Sequence, residues 1–262
     1  MIRVHAAAWF LVCSLVVARS GEAGQGAAPA APQVKSAASV DLPFAFGGPP
    51  PPVPPEVISR DPSGRATIRA VGLTSPLRVD GQLDEAVYTS VPSISDFIQN
   101  DPQEGAPSTE KTEVWVLFDG DNVYVTARCW ESHPERMVAN EMRRDSTNIV
   151  QGNDTFAFGF DTFYDRRNSV IFEINAIGGR IDGQVTNERQ MNLDWNPIWD
   201  LKVGRFEGGW TIEAALPFKS LRYRPGNAQI WGFNARRVNR WKNEVSYITP
   251  IPASMTLRGH FQ

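Results

Sequence analysis

The sequence is poor in the residues from which many catalytic and metal sites are built. Among its 262 residues there are only three histidines, His5, His133 and His260, and two cysteines, Cys13 and Cys129. So few histidines leave almost no material for a His-rich metal site or a Ser-His-Asp triad. The sequence also has no phosphate-binding glycine-rich loop. We therefore predict no cofactor, no metal-binding residues and no catalytic residues.

The sequence also lacks an excess of positive charge. Its 26 lysines and arginines face 29 aspartates and glutamates, which gives a formal net charge of -3. Basic runs and aromatic-basic interleaving are absent, although nucleic-acid binding depends on such surfaces. Nucleic acid is therefore not an expected partner.

The longest apolar run is at the N-terminus and is too short to span a bilayer. It covers residues 6–18, whereas a spanning helix needs about 20 apolar residues. Basic residues before this run and small residues after it predict a secretory signal peptide over residues 1–23, with a membrane anchor as the alternative. The protein is then expected to be exported to the periplasm, or to the outer membrane or the cell exterior. Cleavage leaves Cys129 as the only cysteine, predicted to be buried and inert, so an intrachain disulfide is excluded.

Residues 24–64 are rich in alanine, proline and glycine and end close to GGPPPPVPPEV. This composition favours an extended polyproline conformation over a packed core. We interpret the segment as a disordered linker, with a Pro-rich ligand for a partner domain as the alternative. Residues 65–250 are then the folded domain. Residues 251–262 form a tail, interpreted as the start of a further region.

Short runs of alternating apolar and polar residues fill the predicted domain. TEVWVLFDGDNVYVTARCW is a predicted hairpin, and DTFAFGFD, SVIFEINA, GWTIEAALP and IWGFNARRV are predicted strands. Short helices are predicted at Leu83–Ser90 and at PFKSL. This pattern predicts an all-β fold, an antiparallel β-sandwich of jelly-roll-like type, with a closed barrel as the alternative. The predicted core consists of Phe156, Phe158, Phe160, Val170, Phe172, Ile174, Ala176, Trp210, Ile212, Ala214, Leu216, Trp231, Phe233 and Ala235.

The opposite faces of the same strands are polar. Arginine, asparagine and carboxylate groups bond sugar hydroxyls, and aromatic rings stack on sugar faces. If the strands share one sheet, their polar faces form a sugar-binding band. The alternative is a solvated face with cross-strand ion pairs, each worth less than about 1 kcal/mol. The candidate hydrogen-bonding residues are Arg128, Glu173, Asn175, Asn234 and Arg236.

Three tryptophans are the candidates for stacking on a sugar. Trp195 and Trp199 flank an Asn-Pro in NLDWNPIWD, and Trp241 follows the strand that begins near Trp231. The alternative for the first two is a lid across the end of the sandwich. We expect Trp199 to be the lid and Trp195 the ligand contact.

Carboxylates raise two further alternatives. Glu173 and Glu213 would act as a glycosidase pair only if the strand order brought them to a fixed separation, so an O-glycosyl hydrolase is a minor alternative. Asp119, Asp121 and Asn122 in one turn, or Asp161 and Asp165 around another, offer oxygen ligands for calcium. The same residues are also good turn formers, which is the preferred interpretation.

Several segments, taken in order, are similar to a known family. LRVDGQLDEAVYTSV, the hairpin, GNDTFAFGFDTF, GGWTIEAALPFKSL and WGFNARRV resemble carbohydrate-binding module family 9 in order and spacing. The resemblance covers about Ile68 to Pro250. It implies a β-sandwich that binds a glycan and is appended to polysaccharide-degrading enzymes. The expected function is a non-catalytic carbohydrate-binding domain that supports carbohydrate breakdown by an attached or neighbouring glycoside hydrolase.

The resemblance also implies three sugar contacts that this sequence does not keep. Well-characterised members carry a tryptophan before an Asp-Ser-Val-Glu strand, the glutamate of that strand, and an arginine of the next strand. The matching positions here are Gln151, Ala157 and Glu173. The usual sugar site therefore cannot be transferred to this chain.

A second resemblance rests on DTFYDRRNSVIFEINAIGG, WNPIWD and ITPIPAS. These segments are similar to a sandwich domain of exported Gram-negative proteins, which precedes a C-terminal region thought to form an outer-membrane barrel. The resemblance implies an alternative function, a structural domain that docks to such a barrel without binding sugar. It also implies that the sequence is a fragment or a gene cut short.

Overall fold

The computed structural model describes residues 46–187, 190–226 and 228–251. The predicted signal peptide and residues 252–262 lie outside this part of the chain. The described strands are β1 (Ile58–Arg60), β2 (Ala66–Ile68), β3 (Val71–Gly72), β4 (Ile98–Asp101), β5 (Thr112–Phe118), β6 (Asn122–Trp130), β7 (Thr155–Asp161), β8 (Ser169–Asn175), β9 (Arg180–Thr186), β10 (Gln190–Asn192), β11 (Asp200–Phe206), β12 (Gly209–Pro217), β13 (Gly232–Asn239) and β14 (Glu244–Tyr247).

Helical structure is limited to four short segments of the described chain. Helix α1 (Val87–Ser90) lies within the predicted segment Leu83–Ser90, and a 3-10 turn at Phe218–Ser220 lies in PFKSL. Helix α2 (Thr147–Gly152) and a second 3-10 turn at Pro134–Arg136 were not predicted. No helix in the described ranges is long and apolar enough to cross a membrane.

Two sheets make up most of the domain. The larger has seven strands in the order β10-β9-β8-β7-β13-β14-β4, and the smaller has five in the order β11-β12-β6-β5-β3. All neighbours are antiparallel except β3 and β5. The described strands form open sheets rather than one closed sheet, so the β-sandwich prediction is confirmed and the barrel alternative is wrong.

The hydrophobic core lies between the two sheets and follows the predicted alternation. Phe158 and Phe172 of the larger sheet stack with ring centroids 5.2 Å apart. Trp210 and Ile212 of β12 face the same interior and are fully buried. Burying each such side chain contributes about 1.5–3 kcal/mol. Three of the predicted core residues are only partly buried, namely Val170, Trp231 and Phe233.

A second buried layer covers the outer face of the smaller sheet. The indole nitrogen of Trp115 donates to the Val91 carbonyl at 3.0 Å, and the Tyr88 ring meets Trp115 edge-on at 5.2 Å. These contacts hold the segment from residue 73 to 97 against the sheet. The expectation of an open polar face on β6 and β12 is therefore wrong, because the preceding chain folds over it.

The predicted boundary between linker and domain, at residue 64, is also wrong. Strand β1 lies inside the predicted linker and pairs antiparallel with β2. Val57 is 4% exposed and belongs to the core cluster, and the Thr67 hydroxyl donates to the Pro49 carbonyl at 2.6 Å. The proline-rich composition concealed this packing because prolines lack the donors and the alternation that mark a strand.

Candidate functional site

The eight residues predicted to bind a ligand do not come together. Arg128 lies on the outer face of the smaller sheet, whereas four polar residues lie on the outer face of the larger sheet. The core separates these two faces, so the predicted single polar band is wrong. The strand order caused the error, because it places the polar strands in different sheets. The four residues of the larger sheet are Glu173, Asn175, Asn234 and Arg236.

Three of those side chains are buried, that of Arg236 is 11% exposed, and all four are bonded within the protein. Arg236 Nη2 donates to Glu173 Oε1 at 2.5 Å, and the Thr155 hydroxyl donates to the same oxygen at 2.8 Å. Asn175 Nδ2 donates to the Glu141 carbonyl, and its Oδ1 accepts the Gly179 N–H. The structure therefore gives these polar groups a structural role in place of the predicted ligand contacts.

Asn234 has one unsatisfied group. Its Oδ1 accepts the N–H of Ala235 at 2.9 Å, whereas its Nδ2 has no partner in the described part of the chain. The residue is fully buried. A ligand in solution does not reach it in this conformation.

Arg128 and Trp241 are partly exposed but already occupied. Arg128 Nη2 donates to the Leu83 carbonyl at 3.3 Å, and its guanidinium lies 5.7 Å from the Trp115 ring centre. Arg136 and Lys242 lie 5.1 and 4.9 Å from the Trp241 ring centre. The space beside both predicted contacts is therefore taken by neighbouring side chains.

Trp199 packs as a lid on the sandwich. It is 5% exposed, and its ring meets Phe172 edge-on at 5.0 Å. The Arg180 guanidinium lies over the Trp199 ring, 5.0 Å from its centre. A ring held in this way cannot stack on a sugar. The assignment of Trp199 as a ligand contact is wrong, and the alternative assignment as a lid agrees with its position.

Trp195 is the predicted residue that lies beside open space. It is partly buried, contacts Phe172 at 5.9 Å, and lines a cavity of about 310 Å³. The cavity lies between the turn from β7 to β8, strand β9 and the chain that follows β12. Its lining residues are Thr162, Phe163, Asn168, Ser169, Val170, Gln184, Trp195, Ser220 and Arg222.

Some polar groups of the cavity are engaged in the local fold. The Thr162 hydroxyl donates to the Arg222 carbonyl at 2.5 Å, and the Ser220 hydroxyl donates to the Ile198 carbonyl at 2.8 Å. Asn168 Nδ2 donates to Asp165 Oδ2 at 2.7 Å. These bonds fix the turn and the loop that form two sides of the cavity.

Two other polar side chains of the cavity have no such bond. The Gln184 amide and the Arg222 guanidinium make no side-chain hydrogen bond or ion pair within the described ranges. Together they offer an amide and a cation. Beside the apolar surface of Trp195, Phe163 and Val170, they can bind a ligand that has both an apolar face and hydroxyl or acidic groups.

Sequence reasoning missed Gln184 and Arg222, although one signal was present. Gln184 pairs with Val170 and therefore faces the side of the sheet on which Phe172 and Ile174 are buried. A polar residue at an inward position indicates an opening at the edge of the core. Arg222 lies in a loop, where no periodicity marks its direction.

Two predicted alternatives concerned carboxylates. Glu173 and Glu213 lie on the outer faces of different sheets with the core between them, so they do not form a glycosidase pair. Asp119 Oδ1 accepts the N–H groups of Asp121 and Asn122, both at 2.7 Å, which is turn chemistry. Within the described residues, no three His, Cys, Asp or Glu side chains form a group that could hold a metal ion.

The single cysteine of the domain is inert in this position. Cys129 is fully buried, and burial raises the pKa of its thiol to about 12. A thiol with this pKa stays protonated at neutral pH and is a poor nucleophile. The prediction that Cys129 is buried is confirmed.

One family model matches more than half of the chain. The family model described as carbohydrate family 9 binding domain-like matches residues 79–246. The chain belongs to this family. The β-sandwich with few short helices is the fold expected of a family 9 domain.

Solved structures agree with this fold. Two are of a family 9 carbohydrate-binding module from Caldicellulosiruptor kristjanssonii, in complex with glucose and with cellotriose. The glucose complex is 16% identical to this chain, and the alignment covers 72% of this chain and 89% of the module. The cellotriose complex is 17% identical, with 72% of this chain and 88% of the module covered. Both TM-scores are 0.51. A putative carbohydrate-binding protein from Bacteroides uniformis is 9% identical over 69% of this chain and 88% of its own, with a TM-score of 0.52. No curated protein matches the chain.

Proposed function

We propose that this family 9 domain is a non-catalytic carbohydrate-binding domain whose sugar lies in the cavity beside Trp195. One observation carries the proposal. A partly buried tryptophan lines a cavity of about 310 Å³, together with the side chains of Gln184 and Arg222, which have no partner in the described chain. The family 9 modules in complex with glucose and cellotriose support the same class of ligand.

The chemistry of the cavity suits a sugar. A pyranose ring presents C–H groups on one face, which pack on an aromatic ring, and hydroxyls at its edge, which need donors and acceptors. The Gln184 amide supplies both. Ligand cavities typically measure about 300–1,000 Å³, so this cavity is at the small end and suits one sugar unit better than a long chain segment.

We also propose a role for the domain outside the cytoplasm. The N-terminal pattern of the sequence supports export to the periplasm or the outer membrane. The family supports a part in polysaccharide breakdown, with an attached or neighbouring glycoside hydrolase as partner. Protease accessibility of the protein in intact cells, compared with lysed cells, tests the location.

Calorimetric titration of the folded protein with a panel of neutral and acidic mono- and oligosaccharides tests binding. We expect Trp195→Ala to weaken binding by about tenfold or more, because it removes the stacking surface. Trp241→Ala is the matched control, since Trp241 lies in the hairpin between β13 and β14 and does not line the cavity. Equal losses in both variants, or no binding of any saccharide by folded protein, would overturn the proposal.

A structural or interaction domain is the second candidate. It is favoured by the three positions that the family resemblance links to sugar. Ala157 is 1% exposed, Glu173 is paired with Arg236, and Gln151 ends an exposed turn of α2. A folded domain that binds no saccharide but associates with isolated cell-envelope proteins would support this candidate.

A further inference from the structure

We propose that the cavity beside Trp195 selects an acidic sugar, a hexose that carries a carboxylate, and that Arg222 binds that carboxylate. The inference rests on the proposed carbohydrate-binding function and specifies its substrate class. Arg222 is the only charged residue among the nine that line the cavity. Neither the matched family nor the ligands of the similar solved structures assigns a charged sugar to this position.

Arg222 carries a charge that the described fold does not neutralise. Its guanidinium makes no ion pair or hydrogen bond in the described ranges, unlike Arg144, Arg236 and Arg237, which all meet carboxylates. Lys219, just before the lining residue Ser220, also lacks an ion pair there. Two cationic side chains of this loop therefore have no ion-pair partner in the described ranges.

The acidic groups of the neighbouring turn do not compensate for this charge. Asp161 accepts the N–H groups of Phe163 and Arg166, and Asp165 accepts those of Arg167 and Asn168. Both carboxylates thus hold the turn between β7 and β8 in place. Neither forms an ion pair with Arg222.

The guanidinium group of an arginine is well suited to bind a carboxylate. A guanidinium is charged at all relevant pH values and presents parallel N–H groups that match a carboxylate in bidentate geometry. When a ligand displaces water from the guanidinium, the charge loses hydration, and a neutral hydroxyl does not offset that loss. In a uronate the carboxylate lies at the edge of the ring, so the ring can pack on Trp195 while the carboxylate faces Arg222.

Uronates and their methyl esters provide a matched test, because esterification removes the charge and keeps the sugar. The full chain is titrated calorimetrically with galacturonate and glucuronate and with the methyl ester of each. We expect the acids to bind about tenfold more tightly than the esters at low salt, and the difference to shrink as salt is added. Arg222→Gln is expected to remove the difference between acid and ester, because the acid then has no cation to pair with.

Lys202→Gln is the charge-matched control, because Lys202 is exposed on the outer face of the smaller sheet and is expected to bind acids as the wild type does. Binding of acids and esters with equal affinity would overturn the acidic-sugar inference and leave the proposed function standing. An acid preference that survives in Arg222→Gln would overturn the role of Arg222. Failure of the folded protein to bind any neutral or acidic saccharide would overturn the proposed function itself.

Discussion

Arg236 and Glu173 form a 2.5 Å ion pair that crosses a whole strand of the larger sheet, above the side chain of Ala157. The register explains this reach, because Ala157 pairs with Arg236 on one side and with Glu173 on the other. Two strand spacings separate the paired backbones by about 9.6 Å. The side chains can meet over β7 because alanine leaves room above the strand. Positions 157 and 173 are two of the three that the family resemblance links to sugar. Here Ala157 lies under the ion pair, and Glu173 is part of it.

Replacing Ala157 by leucine tests this geometry. The larger side chain would separate the ion pair in a site that is 1% exposed. We expect a loss of about 1–3 kcal/mol in the free energy of unfolding, measured by urea denaturation. Ala86→Leu is the control, because residue 86 is exposed and is expected to change stability little. Equal stability of both variants would contradict the argument.

The buried pair between Arg237 and Glu131 gives a second prediction. Arg237 donates to Glu131 Oε1, and Asn239 Nδ2 donates to Oε2 at 2.8 Å. Burial raises the pKa of Glu131 although Arg237 lowers it. Arg237→Met leaves this carboxylate buried without its cation, so we expect a loss of about 3–5 kcal/mol in denaturation experiments.

The double variant Arg237→Met with Glu131→Gln serves as its control. Removing the unpaired charge is expected to recover a measurable part of the lost stability. A double variant as unstable as Arg237→Met alone would show that lost packing, including the contact of Arg237 with the Trp210 ring, accounts for the effect.

Replacing Trp199 by alanine is expected to lower stability more than replacing Trp195 by alanine. Trp199 fills the edge of the core, so Trp199→Ala is expected to cost about 3–5 kcal/mol of unfolding free energy. Trp195 is only partly buried, and Trp195→Ala is expected to cost less than half as much. Thermal or urea denaturation of the two variants in parallel measures the difference. A larger loss for Trp195→Ala would contradict the assignment of lid and cavity wall.

The fold was largely predictable because alternation in a strand is a local property. Phe156, Phe158 and Phe160 follow one another at period two, so their common burial needs no knowledge of neighbouring strands. The order of the strands is not local. No pattern within β6 or β8 indicates that Arg128 and Glu173 belong to different sheets, and the predicted polar band failed for that reason.

The candidate site was only partly predictable for the same reason. Trp195 was found because an aromatic residue in a loop is conspicuous in any sequence. Gln184 and Arg222 meet it only through the long-range packing of strand β9 and a loop. Polar residues at these places are ordinary when each is considered alone.

Glu213 holds the segment over the smaller sheet and is expected to make stability depend on pH. Its carboxylate accepts the N–H groups of Asp80 and Gly81 and the hydroxyl of Tyr88, each at 2.8 Å. Burial raises its pKa to about 7, although these hydrogen bonds oppose the shift. In the unfolded chain a glutamate has a pKa of about 4.3.

A folded-state pKa above the unfolded value means that the native protein binds the proton more tightly. The resulting stabilisation is complete below about pH 4 and is lost as the pH rises to about 7, by at most about 1.4 kcal/mol per pH unit. Glu213→Gln does not titrate, so we expect its stability relative to the wild type to increase between pH 5 and pH 8 in urea denaturation. Glu104→Gln, at an exposed position, is expected to show no such trend. If the difference between Glu213→Gln and the wild type does not change with pH, the three donors keep the carboxylate ionised throughout, and hydrogen bonding outweighs burial at this residue.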